Sequence, residues 1–266
     1  MPDLATTTSS PTQRTLEHVL AREAERLRTA RALPLDLEPV LADLGIGLRT
    51  EMPTSSRRGH GWLQRVGPTW QIVVDASTSS ARQRYTIAHE LGHYVVEAWT
   101  GYRPSTKREY WMLETACQRF AADLLAPRQE VMSALGPGTP SAAALIEAAD
   151  RLIATTGLSL EAAARRVVDT ASYPAAALAL RLPADGSPSQ RLAQILWACS
   201  NQPWIAGPRG QLIRKDNPLR AAARLASSLD LGESLALDLP GATSTFVARR
   251  QSGLVVLGTL LEGRTN

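Results

Sequence analysis

Cysteine and lysine are nearly missing from this chain. Two cysteines, Cys117 and Cys199, occur in 266 residues, which makes no disulfide framework, and both read as small core residues. Of 29 basic residues only Lys107 and Lys215 are lysine, an imbalance that genomic base composition suffices to explain. The net charge is +4, and the arginines are scattered apart from small clusters such as Arg57-Arg58. Charge alone therefore does not establish nucleic-acid binding. No apolar stretch approaches the roughly 20 residues that cross a bilayer. The opening, with Asp3 and a Thr/Ser-rich run, does not read as a signal segment. The expectation is a cytoplasmic protein without a membrane segment. A hydrophobic content of 44% with 20% charged residues is ordinary for a chain that buries a core.

Histidine is scarce as well, and its placement is informative. The chain has four (His18, His60, His89 and His93), and two fall in His89-Glu90-Leu91-Gly92-His93. Ser80 followed by Gln83 fits a helix-starting capping box, and Ile87, Leu91 and Val95 form an apolar stripe at four-residue spacing. On such a helix His89 and His93 share a face and can reach one ion. Glu90 then stands beside that ion, placed to take a proton from a water activated there. The bland alternative is a pair of partly buried, hydrogen-bonded histidines.

A zinc site of this kind takes a third protein ligand and keeps one position open. Glu97 follows His93 by four, but eight helical residues put it about 12 Å from His89 along the axis. A second helix is expected from near Ser105 to just before Pro127, and its acidic choices are Glu109, Glu114 and Asp123. Glu114 shares a face with Cys117, Ala121 and Leu125 that reads as buried. A carboxylate there needs a partner, and a metal would be one. The other reading of Glu114 is a salt-bridged surface residue.

The run from Arg82 to His93, followed by Glu114-Thr-Ala-Cys-Gln-Arg-Phe-Ala-Ala-Asp-Leu-Leu-Ala-Pro127, resembles the ImmA/IrrE family of metallopeptidases. The resemblance is specific over residues 60 to 130. It implies zinc held by His89, His93 and Glu114, with Glu90 as general base. It also implies a substrate: a helix-turn-helix (XRE-type) repressor, cleaved so that stress-response or mobile-element genes are derepressed. The Glu-Thr-x-Cys wording and the long C-terminal extension look more like the IrrE radiation-response branch than like short ImmA proteins. Two histidines and a carboxylate hold manganese or iron as well as zinc.

The organisation expected along the chain is α+β. Residues 1 to 13 read as a disordered tail and 14 to 135 as a zincin-like peptidase domain. Within it lie helices over 14 to 31 and 37 to 44 and strands over 46 to 52, 62 to 66 and 70 to 75. A basic loop, Pro53 to Gly61, precedes the strand pair. One strand of the pair is expected at the sheet edge, where extended substrate can pair with it. His60 could reach the cleft and stabilise an oxyanion, or be an ordinary loop residue. Gly136 to Pro140 signals a linker. Residues 141 to 172 then form a helix-turn-helix-like segment, with helices over 142 to 155 and 160 to 169. Its second helix offers only Arg165 and Arg166 to base edges, so packing or protein binding is favoured over direct DNA reading. Residues 173 to 266 resemble a GAF-like α/β sensor domain. Strands are expected over 175 to 182, 192 to 199, 211 to 214, 235 to 239, 244 to 250 and 253 to 261, with a helix from Asn217 to Ala226. Trp197 and Trp204 could line a pocket there, or pack.

Overall fold

The computed structural model describes residues 13–52, 59–137, 141–173, 175–181, 193–200, 212–213, 234–238, 245–251 and 254–260. Of the tail expected over 1–13, residues 1–12 lie outside them, as do the loop residues 53–58, the helix from Asn217, Trp204 and the side chain of Trp197, whereas Gln13 is described and starts a helix. The chain divides into two compact units: Met1–Pro127 with Thr155–Leu158, and Arg128–Ala154 with Ser159–Asn266.

In the first unit, α1 (Gln13–Arg28) and α2 (Leu37–Asp43) precede the strands β1 (Ile46–Glu51), β2 (Gly61–Val66) and β3 (Thr69–Asp75). Two long helices follow, α3 (Ser80–Thr100) and α4 (Lys107–Leu125). The sheet has the order β1-β3-β2, with β1 parallel and β2 antiparallel to β3. Ile72, Val73 and Val74 are consecutive and all buried, so β3 is covered on both faces. That explains its continuous apolar run where a half-exposed strand would alternate. β2 is an edge strand, as expected of one member of the pair. On α1 the residues Leu16, Leu20 and Leu27 are buried and pack toward α3 and α4, each contributing about 2 kcal/mol by burial.

The second unit opens with α5 (Arg128–Leu135), α6 (Ala142–Thr156) and α7 (Leu160–Thr170). α5 is an element to which the sequence reading assigned no range. With only Val131 and Ala134 buried, its eight residues carry too little periodic signal to stand out. Six strands follow: β4 (Ala175–Arg181), β5 (Ala193–Ser200), β6 (Leu212–Ile213), β7 (Ser234–Asp238), β8 (Thr245–Gln251) and β9 (Leu254–Leu260). They form one antiparallel sheet in the order β6-β5-β4-β9-β8-β7. α7 lies against β4, β5 and α5, burying Ala163, Ala164, Val167 and Val168. The helix expected to act as the second of a helix-turn-helix pair thus spends its apolar face on the sheet. Cys117 and Cys199 are both buried, as core residues are. No described helix is long and apolar enough to cross a membrane.

Candidate metal centre

The site is built on α3. Its N-cap is Ser79, whose side chain accepts from the Arg82 backbone, one residue earlier than the Ser80 cap expected. The Gln83 side chain instead donates to the backbone carbonyls of Asp75 and Thr78, tying the helix start to the end of β3. The helix runs unbroken to Gly101, which closes it in a left-handed conformation at φ 65°, where glycine costs least. Ile87, Leu91 and Val95 are buried as the stripe required. The neighbouring face then carries His89 and His93, with ring centroids 4.9 Å apart and planes at 76°.

α4 brings the third group. Thr106 and Glu109 form a capping box at its start, so Glu109 is committed to backbone amides. Two turns on, Glu114 faces α3. The two helices can meet closely because the residue between Leu91 and His93 is glycine. A Cβ on Gly92 would stand 3.1 Å from Phe120 Cδ1 and 3.2 Å from Cys117 Cβ, tighter than ordinary contact. The carboxylate oxygens of Glu114 lie 3.3 Å from His89 Nε2 and 3.4 Å from His93 Nε2. The two Nε2 atoms are 3.2 Å apart.

These separations suit a shared cation. Zinc bonds of about 2.0–2.1 Å to a tetrahedral centre put neighbouring ligand atoms about 3.3–3.4 Å apart. Two imidazoles and one carboxylate are also a donor set that zinc or manganese takes. His89, His93 and Glu114 are the one such cluster of three or more metal-type ligands among the described residues. Without a metal the cluster demands a proton. Burial pulls the His93 pKa down, but Cys117 and Glu114 outweigh it and push it up to about 10. Hydrogen bonds from His89 and His93 hold the Glu114 carboxyl well below its ordinary value. Cys117, expected only as core, touches His93 through its thiol. The Nδ1 of His89 has no partner among the described residues.

Glu90 sits beside this cluster. Burial raises its pKa, the two histidines oppose that, and the Leu63 backbone N–H donates to its carboxylate. That contact follows from how β2 runs along α3. Gly61 presses on Thr86 and Leu63 meets Glu90. Two strand residues advance about 6.7 Å and four helical residues about 6 Å, so the two elements stay in step. The edge strand therefore passes the proposed general base.

The remaining candidates are placed elsewhere. Glu97 pairs with Arg103, as its poor reach toward His89 allowed. His60 is half-exposed, with Nδ1 3.9 Å from Asp75. His18 is exposed on α1. One residue went unnoticed in the sequence: Tyr110, which sets its phenol against Glu114. Its position four before Glu114, on one helical face, was the available signal.

Residues 42–168 match the family model of the Peptidase M78 family, described as an IrrE N-terminal-like domain. This region is therefore an IrrE N-terminal-like domain, as found in ImmA/IrrE proteins. A solved structure of a Mycobacterium tuberculosis transcriptional regulator is similar to it in fold, with a TM-score of 0.52 at 14% identity over 92% of this chain and 86% of that one. No curated protein matches the chain in sequence.

Proposed function

We propose that this chain is a zinc-dependent endopeptidase that cleaves a helix-turn-helix (XRE-type) repressor in the cytoplasm and so derepresses stress-response, DNA-damage genes. The observation that carries the reading is the convergence of His89, His93 and Glu114 within 3.2–3.4 Å, with Glu90 beside them. The match of residues 42–168 to a metallopeptidase family model supports it. Zinc held by His89, His93 and Glu114 would supply Lewis acidity, making water nucleophilic near neutral pH and polarising a peptide carbonyl. Glu90 is the general base. Burial lifts its pKa, which fits a group that must take a proton and then give it back. One carboxylate oxygen accepts the proton of the attacking water and passes it to the departing amide nitrogen. The Leu63 N–H holds the carboxylate in place meanwhile. Apart from the Leu63 N–H, which Glu90 occupies, the outer edge of β2 can align an extended segment of substrate.

We read residues 14–135 as the peptidase domain, 141–172 as a helical segment for packing or protein binding, and 173–266 as a GAF-like regulatory domain. Arg165 pairs with Glu161 at 3.2 Å and α7 packs on strands, which supports protein contacts over base reading. A purely regulatory role, with metal but without turnover, is favoured by one observation: the likeness in fold to a protein titled a transcriptional regulator.

The test is a cleavage assay on the helix-turn-helix repressor encoded nearest in the genome, with zinc or manganese added. Wild type should give fragments and Glu90→Gln should be slower by about 10²–10⁴-fold while binding metal normally. Equal behaviour of the two, with the repressor intact but bound, would make the chain a regulator.

A further inference from the structure

Peptide hydrolysis builds negative charge on the carbonyl oxygen, and a donor other than the metal commonly meets it. Neither Glu90 nor Glu114 can serve, because an ionised carboxylate only accepts. Among the described residues the phenol of Tyr110 is a hydroxyl donor set against this centre. It lies one turn before Glu114 on α4, on the same face, and touches the Glu114 carboxylate while also sensing the charge of Glu90. The phenol therefore contacts one carboxylate of the site and lies within electrostatic range of the other. The residue is 46% exposed and its ring leans edge-on against Trp111, with centroids 5.4 Å apart. A side chain this exposed has room to turn, and two torsions suffice to re-aim its hydroxyl. A phenol ordinarily ionises only near pH 10, so the hydroxyl carries its proton at neutral pH. His60, the donor suggested by sequence, is directed at Asp75 instead.

We propose that Tyr110 is a catalytic residue of this site: its hydroxyl leaves the Glu114 carboxylate and donates a hydrogen bond to the carbonyl oxygen of the scissile peptide. No proton changes owner in this contact. The proposal rests on the peptidase reading above.

Zinc-loaded full-length wild type, Tyr110→Phe and Glu90→Gln are compared on the repressor. Tyr110→Phe is expected to lower kcat by about 10²-fold with KM, bound zinc and thermal midpoint unchanged. A second readout needs no turnover. A phosphinic tripeptide, whose tetrahedral phosphorus bears the oxygen in question, should bind Tyr110→Phe about 10²-fold more weakly. An ordinary tripeptide should bind both proteins equally. Wild-type kcat and phosphinate affinity in Tyr110→Phe, beside an inactive Glu90→Gln, overturns the assignment of Tyr110 alone. Zinc loss in Tyr110→Phe that matches the activity loss also overturns it, by showing that the phenol merely steadies Glu114. Repressor cut equally by wild type and Glu90→Gln, or by neither, sinks the peptidase reading and this assignment together.

Discussion

Gly92 on α3 lies directly against Cys117 on α4: an added Cβ would stand 3.2 Å from the cysteine Cβ and 3.3 Å from its Cα. The neighbour is backbone as well as side chain, so it cannot swing away. Gly92→Ala should gain about 1 kcal/mol of helix propensity and lose about 1–3 kcal/mol to overpacking. The second effect wins, because α4 must shift at the level of Glu114. The expected outcome is a net loss of about 1 kcal/mol in denaturant unfolding, with zinc affinity reduced about tenfold or more in a competition titration.

At Gly61 the conflict is sharper. A Cβ there would overlap Thr86 Cγ2 and fall 2.7 Å from the Val73 carbonyl oxygen. Gly61→Ala is expected to cost about 3 kcal/mol and to pull Leu63 off Glu90. Adding Thr86→Ser removes the methyl but leaves the carbonyl in the way. The double variant should recover only part of the loss, read as a coupling term in the unfolding free energies.

Acidity tests the centre without any substrate. In the metal-free chain His93 is raised from 6.5 to about 10, so its stabilising contribution is complete below about pH 6.5 and lost as pH climbs through about 10. Glu114 is lowered from 4.5, so its contribution is present above that value and lost as pH falls through the depressed one. Chelated protein should therefore lose thermal stability steadily between pH 6.5 and 10, and His93→Gln should flatten that slope. A metal bound at the proposed centre would displace the His93 proton. Titrating metal into weakly buffered protein near neutral pH should release about one proton per ion, detectable with an indicator dye.

Arg84 offers a purely structural prediction. Its guanidinium, lowered in pKa by burial, donates to the carbonyls of Leu35 at 3.0 Å and Thr156 at 3.2 Å. Charged hydrogen bonds of this kind contribute about 1.5–3 kcal/mol each, discounted here because the side chain is only partly buried. Arg84→Met is expected to cost about 2 kcal/mol in unfolding experiments. Amide exchange at Thr155–Leu158 should quicken more than elsewhere in the first unit.

Much of the centre was readable without coordinates because helical periodicity is local. Two histidines four apart on a stripe-bearing helix share a face wherever that helix is packed. Glu97 could be set aside by rise per residue, and Glu114 picked out by the apolar company it keeps. Helix α5 escaped because eight residues with two buried side chains give almost no period. The cap moved from Ser80 to Ser79 because either serine can supply the capping oxygen; Gln83 completes a box only with Ser80, but Ser79 is the one with extended backbone angles.

What the sequence determined by itself was the set of chemical groups and the elements that carry them: His89, Glu90 and His93 on one helix, Glu114 on the next, and the strands flanking both. These follow from spacing along the chain. Tertiary structure alone decided how far apart those elements lie. It set α4 against α3 at Gly92, ran β2 beside Glu90 through Gly61, and turned the apolar face of α7 onto β4 and β5. It also brought the Tyr110 phenol to Glu114. Such distances depend on which surfaces pack together across many residues of separation, and no local period records that.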